Sequence, residues 1–236
     1  MSCRVAMLRM QDDGLIQLPP PQNGNNNGKP YRRRTQRAEP EPFPLIVPAG
    51  ALVDLHLEPV ADHKGSHLWN EYIDRYHYLG YQPLPGAQLR YFAHSGGRVL
   101  ALLGFGAAAW KTAPRDCFIG WSAEQRERQL HLVTNNARFL ILPWVRSRNL
   151  ASRLLSMATR QLADDWQHRY GYRPVLVETF VETRRFQGTC YKAANWICVG
   201  ETKGRGKLDV KNKAQLPKKS IWLHPLARNF RRHLCR

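Results

Sequence analysis

A chain of 236 residues is long enough to bury a core of its own, as one domain of roughly 150–200 residues with tails. Its 36 lysines and arginines against 18 acidic residues leave +18 at neutral pH and a pI near 10.2, which favours polyanionic partners, nucleic acid first and an anionic membrane surface second. No apolar run reaches the about 18 residues of a membrane span, the first ten residues lack a signal-peptide core, and five cysteines never spaced C-x-x-C argue against a disulfide framework or zinc ribbon, so a reduced, cytoplasmic protein is expected.

Residues 1–42 read as an arm. Pro19-Pro20-Pro21 and the Asn/Gly run over 23–28 form no packed element, so disorder is predicted there. Tyr31-Arg32-Arg33-Arg34 and Arg37 add a basic cluster that either touches nucleic acid or only keeps the chain solvated. A single domain is predicted over 43–225, followed by a basic tail over 226–236. Leu45-Ile46-Val47 and residues 52–57 are short, proline-bounded and extended. Residues 67–78 then set Leu68, Tyr72, Ile73 and Tyr76 on one helical face. That helix delivers His77-Tyr78-Leu79-Gly80-Tyr81, with Gly80 as its stop and with His77 and Tyr81 as cleft or core residues.

The clearest hairpin follows, with strands over 89–94 and 98–109 joined at Ser95-Gly96-Gly97. Gly104 and Gly106 predict a bulge or a close backbone approach in its second strand. Residues 110–121, around Pro114-Arg115-Asp116, read as a loop, and Ser122 caps a charged helix over 124–130. Residues 131–142 form the next strand. Asn135 and Asn136 stand out in it, because two amides in an apolar strand need hydrogen-bond partners and either aim at a ligand or shape a bulge. No His, Cys or carboxylate pair has ligand spacing, so no metal site is predicted, His77 and His131 included.

The strand stops at Pro143, a polar turn Arg146-Ser147-Arg148-Asn149 follows, and Leu150, Leu154, Leu155, Ala158, Leu162 and Trp166 recur at helical spacing. Free amides at such a helix start, beside two arginines, offer an anion site, unless the unit binds nothing and the arginines are only solvated. Residues 174–180 give a second buried strand ending at Glu178-Thr179, residues 183–195 a short helical piece, and 196–200 a third strand. From Glu201 onward eleven Lys/Arg stand against two acidic residues, half of the whole excess. Arg205, Lys207, Lys211, Lys213, Lys218 and Lys219 are the predicted nucleic-acid contacts of that stretch, and 221–223 a closing strand.

The order hairpin, strand, polar loop, long helix, strand, short helix, strand resembles the Gcn5-related N-acyltransferase (GNAT) fold. The resemblance implies an α+β domain whose mixed, mainly antiparallel central sheet is flanked by helices. The loop Pro143-Trp144-Val145-Arg146-Ser147-Arg148-Asn149-Leu150-Ala151 is similar to that family's cofactor loop, except that Asn149 stands where a glycine is expected. It implies acyl-CoA as cofactor, with Arg146, Arg148, Asn149 and Ala151 at its pyrophosphate, a role that Asn149 weakens. By the same resemblance Tyr191 takes the place of a general acid and Glu178 that of a general base. Read from the residues alone, Glu178 serves equally as an ion-pair partner of Arg138 or Arg146, Tyr191 as a core tyrosine, and Cys190 as an inert thiol.

A second resemblance is carried by longer strings: His77-Tyr78-Leu79-Gly80, the run from Asn135-Asn136-Ala137-Arg138 to Pro143, Asn149-Leu150-Ala151-Ser152-Arg153, Glu178-Thr179-Phe180, and the run from Phe186-Gln187-Gly188-Thr189-Cys190 to Trp196. Together they resemble the DruA family of the Druantia anti-phage system, whose similar domains accompany insertion-sequence transposases. This implies a DNA-acting role in phage defence or mobile elements, with defence-system or transposase proteins as partners and DNA favoured over RNA. His77, Asn135, Asn136 and Arg138 are then further cleft residues. The expected activity is group transfer or processing on nucleic acid; the alternative is a non-catalytic DNA-binding accessory with a degenerate acyltransferase fold.

Overall fold

A computed structural model describes residues 3–20, 34–204 and 216–236, in two units, Met1–Pro30 and Tyr31–Arg236. The first holds helix α1 (Cys3–Asp12), after which Leu18 N–H donates to Gln11 Oε1 at 3.2 Å. A stretch expected to be disordered therefore contains a helix. Neither Gly nor Pro interrupts those ten residues, and the prolines lie beyond them.

The second unit is built on seven strands: β1 (His56–Pro59), β2 (Leu89–Ser95), β3 (Arg98–Ala107), β4 (Val133–Ile141), β5 (Leu176–Glu182), β6 (Ile197–Glu201) and β7 (Lys219–Pro225). Their order across the sheet is β1-β2-β3-β4-β5-β7-β6, and every neighbouring pair is antiparallel except β4 with β5. This is the expected α+β architecture, a mixed, mainly antiparallel central sheet, and the element order is the one on which the GNAT resemblance rests. The β2–β3 turn needs left-handed backbone at both central residues, and Gly96 (φ +56°) and Gly97 (φ +75°) supply it.

Helices cover both faces, which is why β3 is almost wholly buried instead of alternating. Helix α2 (His63–Tyr76) lays Trp69 directly on the sheet; a Cβ at Gly104 would meet that indole at 3.0 Å. The 21-residue helix α5 (Leu150–Tyr170) covers the other face, where Tyr91 donates to Asp165 at 2.8 Å. The glycine in β3 therefore marks a close approach, and a bulge lies beside it: Gly104 pairs with Arg138 but Phe105 with Asn136, so Ala137 is the extra residue.

Several local expectations are corrected. Helix α2 starts at His63, where Asp62 accepts the Gly65 N–H at 2.6 Å, and ends at Tyr76, so His77 and Gly80 follow the helix. The predicted loop over 110–121 contains helix α3 (Ala113–Ile119), with Pro114 in its first turn, where a missing N–H costs nothing. Helix α4 (Ala123–Gln129) has the expected Ser122 cap, completed by Gln125 reaching back to the Ser122 N–H at 2.8 Å. Helix α6 is only Thr189–Ala193.

Both expected tail boundaries also move. Ala38 is fully buried, Tyr72 and Tyr76 donate to the carbonyls of Arg37 and Ala38, and Thr35 donates twice to Glu71. Residues 34–42 thus belong to the packed unit. At the other end helix α7 (Phe230–Leu234) buries Phe230 and Leu234 in a cluster with Ile119, Leu176 and Leu223.

Candidate functional site

Strands β4 and β5 pair over only three positions, Val133–Leu176, Thr134–Val177 and Asn135–Glu178. Beyond them β4 stays with β3 and β5 stays with β7 through Glu182–Lys219, so the two strands part. A cleft of about 1000 Å³ opens in the gap, walled by residues 77–79 after α2 and by residues 185–191. His77, Asn135, Asn136, Arg138 and Tyr191, all singled out from the sequence, come together there.

Asn136 organises the floor. Its Nδ2 donates to the carbonyls of Gly104 (3.3 Å) and Arg138 (3.1 Å), which bridges the bulge, and its Oδ1 accepts the Tyr191 hydroxyl at 3.0 Å. Thr179 Oγ1 donates to the Asn136 carbonyl at 3.0 Å. Tyr191 is buried between Phe139, Trp196 and Trp222, and burial pushes its phenol well above the ordinary range, against a hydrogen bond with Thr179. It stays protonated, with its proton directed at Asn136. The turn that presents it needs Gly188: at φ +71° an added Cβ would lie 2.6 Å from the Trp222 ring. Cys190, beside it, also lines the cleft, and burial raises its thiol pKa, which disfavours the reactive thiolate.

The rim is aromatic and cationic. Tyr78 and Phe186 are 38% and 49% exposed with ring centroids 5.6 Å apart, and the Arg185 guanidinium lies 4.6 Å from the Tyr78 centroid. Burial, then the charge of Arg138, lowers the His77 pKa from 6.5 to about 4. His77 is neutral at pH 7, and because its Nδ1 accepts the Leu79 N–H at 3.3 Å, we assign the ring proton to Nε2. Among the described residues the lining carries three cations, Arg138, Arg185 and Lys219, and one carboxylate, Glu182, so the cleft has a positive balance. Asn135 Oδ1 is buried and makes no hydrogen bond.

Glu178 is not part of this cleft. It is fully buried, pairs with the equally buried Arg115 Nη1 at 2.9 Å and accepts the Ala109 N–H at 2.7 Å. Burial raises its pKa, opposed by Arg115 and by the Ala109 hydrogen bond. Arg115 also donates to the Ala109 carbonyl and to Asp116, so every polar group at this spot is engaged. A carboxylate so committed holds α3 against the sheet and has no open side for a substrate proton. Neither Arg138 nor Arg146 is its partner.

The loop after β4 is separate as well: none of residues 143–151 lines the cleft. Arg146, Arg148 and Asn149 are exposed, and Ala151 lies half-buried in the first turn of α5. Asn149 holds φ +65°, the left-handed conformation that a glycine would adopt there, but it keeps a side chain on the loop. The segment after residue 44 runs along this loop. Leu45 N–H donates to the Trp144 carbonyl, Arg146 N–H to the Leu45 carbonyl at 2.8 Å, and Arg153 to the Ala49 carbonyl. A pyrophosphate cradle needs free backbone amides, and here the Arg146 N–H is spent on Leu45 and the Leu150 N–H on Ser147, so acyl-CoA does not find its full expected set of donors in this loop.

Of the predicted nucleic-acid contacts, Lys218 is exposed and Lys219 reaches the cleft, whereas Arg205, Lys207, Lys211 and Lys213 lie outside the described residues. Among the described residues no three metal-ligating side chains cluster, and no helix is long and apolar enough to cross a membrane. The sequence reading missed Tyr78, Thr179, Arg185 and Phe186. The signal was present for three of them, since Tyr78, Thr179 and Phe186 each stand in the strings that carried the second resemblance.

The family model described as "Druantia protein DruA" matches residues 10–215. No curated protein matches the chain in sequence. Among solved structures it is similar to a GNAT-family acetyltransferase from Streptococcus pneumoniae (13% identity, TM-score 0.46, covering 73% of this chain and 100% of that one). It is likewise similar to a Drosophila melanogaster polyamine N-acetyltransferase (13%, 0.45, 73% and 100%) and to an N-acetyltransferase from Staphylococcus aureus Mu50 (13%, 0.38, 59% and 68%).

Proposed function

The chain belongs to the DruA family, and from that premise we propose that it acts on nucleic acid, DNA before RNA, in defence against phage or in mobile elements, and holds it in the cleft between β4 and β5. The observation that carries this reading is the pairing of exposed aromatic rings with an excess of cations on one cleft: Tyr78 and Phe186 beside Arg138, Arg185 and Lys219, against the one carboxylate Glu182 among the described lining residues. Aromatic faces take bases and cations take the backbone phosphates between them. The +18 charge of the whole chain supports the same class of partner.

Fluorescence anisotropy with labelled DNA, repeated across a salt series, tests it. Replacing Arg138, Arg185 and Lys219 together by alanine is expected to flatten the log–log salt slope by about 2, near 0.7 per lost single-strand phosphate contact. An unchanged slope removes the cleft from the binding surface. Competition with RNA of the same sequence decides between the two nucleic acids.

Group transfer on the bound strand is a second reading, favoured by the Tyr191 hydroxyl and Asn136 at the cleft floor. In that case Tyr191 is the proton donor and Glu178 has no part. The non-catalytic accessory, a partner of other defence or transposase proteins, is favoured by the buried Arg115–Glu178 pair and by the covered cofactor loop. Tyr191→Phe separates the two, since it keeps the ring and removes only the hydroxyl: lost phage protection with intact DNA binding supports transfer, and full protection supports the accessory.

A further inference from the structure

We propose that the cleft admits one unpaired nucleobase at a time, stacked against Tyr78 and Phe186 and hydrogen-bonded at its edge by the Asn135 carboxamide; this rests on the reading that the chain acts on nucleic acid. Three observations converge on it. The rings of Tyr78 and Phe186 are large apolar surfaces left 38% and 49% exposed at the mouth of a cleft of about 1000 Å³. That volume falls within the span of pockets that enclose single small molecules. A duplex keeps its bases stacked inward, so a base reaches such a cleft only from a single strand or after turning out of the helix.

Asn135 supplies the second observation. Its Oδ1 is buried without a partner, whereas the neighbouring Asn136 is committed on both ends, to Gly104 and Arg138 through Nδ2 and to Tyr191 through Oδ1. A buried acceptor left unpaired is costly, and the cost is recovered when a ligand N–H arrives. Base edges present a donor and an acceptor side by side, the pattern that a carboxamide matches with two hydrogen bonds. His77 Nε2–H stands on the same wall as a further neutral donor.

The third observation is where the charge lies. Arg185 sits over the Tyr78 ring, and Arg138 and Lys219 line the same opening. Three cations with no carboxylate ion-paired to any of them among the described residues suit the phosphates on either side of an inserted nucleotide. Arg138 spends one N–H on the Ala137 carbonyl, so it is positioned by the bulge.

The experiment measures affinity for four short DNAs of one length: single-stranded, fully paired, paired with one central mismatch, and single-stranded with abasic sites throughout. The expected order is single strand, then mismatched duplex, then paired duplex, with the abasic strand losing roughly five- to 100-fold against the base-bearing strand, the range of one stacked base. Tyr78→Ala with Phe186→Ala is expected to abolish that difference without lowering the melting temperature, because both rings are at the rim. Asn135→Ala is expected to weaken the base-bearing strand alone and to leave stability unchanged or raised, since no intramolecular bond is lost. Equal binding of the abasic and base-bearing strands overturns the base site while leaving nucleic-acid binding intact. Asn135→Ala that destabilises the fold and leaves the base preference untouched overturns the assignment of Asn135. No binding of any of the four DNAs, nor of RNA of the same sequence as the single strand, sinks the nucleic-acid reading itself, and the base site with it.

Discussion

Burying both members of the Arg115–Glu178 pair makes each depend on the other. Two charges out of water are tolerated because each satisfies its partner and because Ala109 supplies a donor and an acceptor to the same spot. Glu178→Gln leaves the buried Arg115 with Asp116, at 2.8 Å, as its remaining counter-charge and is expected to cost about 1–3 kcal/mol, read as a fall in melting temperature. A catalytic glutamate in an open cleft would lose activity at unchanged stability instead. His77 gives a prediction of different form. Its pKa is about 4 when folded and 6.5 for an ordinary histidine side chain, so on acidification the unfolded chain takes up the proton first. The stability it contributes is complete above pH 6.5 and declines as the pH falls from 6.5 towards 4. His94 and His224, also lowered by burial, act in the same sense. His77→Gln is expected to lessen the drop in melting temperature between about pH 7 and pH 5, and an identical drop in both proteins refutes the assignment.

Helix α6 is too short to hold its own place, so the turn before it does that work. Gly188 combines a left-handed backbone with an approach of 2.6 Å between its would-be Cβ and the Trp222 indole. Gly188→Ala therefore meets both a backbone penalty and an overpacked site, together about 3 kcal/mol, a fall of about 6–12 °C in melting temperature. Because Trp222 stacks on Tyr191, the same change is expected to disturb the cleft floor. The opening of β4 from β5 is likewise a property of elements: three paired positions, then divergence around the Ala137 bulge, create the space in which His77, Asn135, Asn136, Arg138 and Tyr191 meet.

At the scale of the whole molecule, the GNAT-like sheet and the contents of its cleft part company. The loop after β4 has the expected position and backbone, but residues 45–49 lie along it: Leu45 takes the Arg146 N–H, and Leu45 and Ala49 donate to the Trp144 and Arg148 carbonyls. Acetyl-CoA at millimolar concentration is accordingly expected to leave the melting temperature unchanged, since a ligand that binds only the folded state must raise it. A rise that Arg148→Ala removes would show the loop to be a working cofactor site.

Much of the fold was legible from local pattern. The hairpin rested on Gly96-Gly97, the long helix on its apolar spacing, and the Ser122 cap on its place before a charged helix, because turn chemistry and periodicity act over a few residues. The cleft was partly legible, since Asn135 and Asn136 are conspicuous in an apolar strand. Helix α3 was hidden because Pro114 reads as a breaker unless it is known to occupy a first turn, and the docking of residues 34–42 because it depends on Glu71, Tyr72 and Tyr76 far along the chain. The sequence alone determined the α+β class, the basic character, the family strings and the set of residues worth weighing. Only the tertiary structure decided their roles: it buried Glu178 against Arg115, covered the Arg146 amide with Leu45, and joined Tyr78 to Phe186 across the cleft. The reason is physical. Propensity and periodicity are short-range, whereas burial, charge pairing and the parting of two strands arise between segments separated by tens of residues or more.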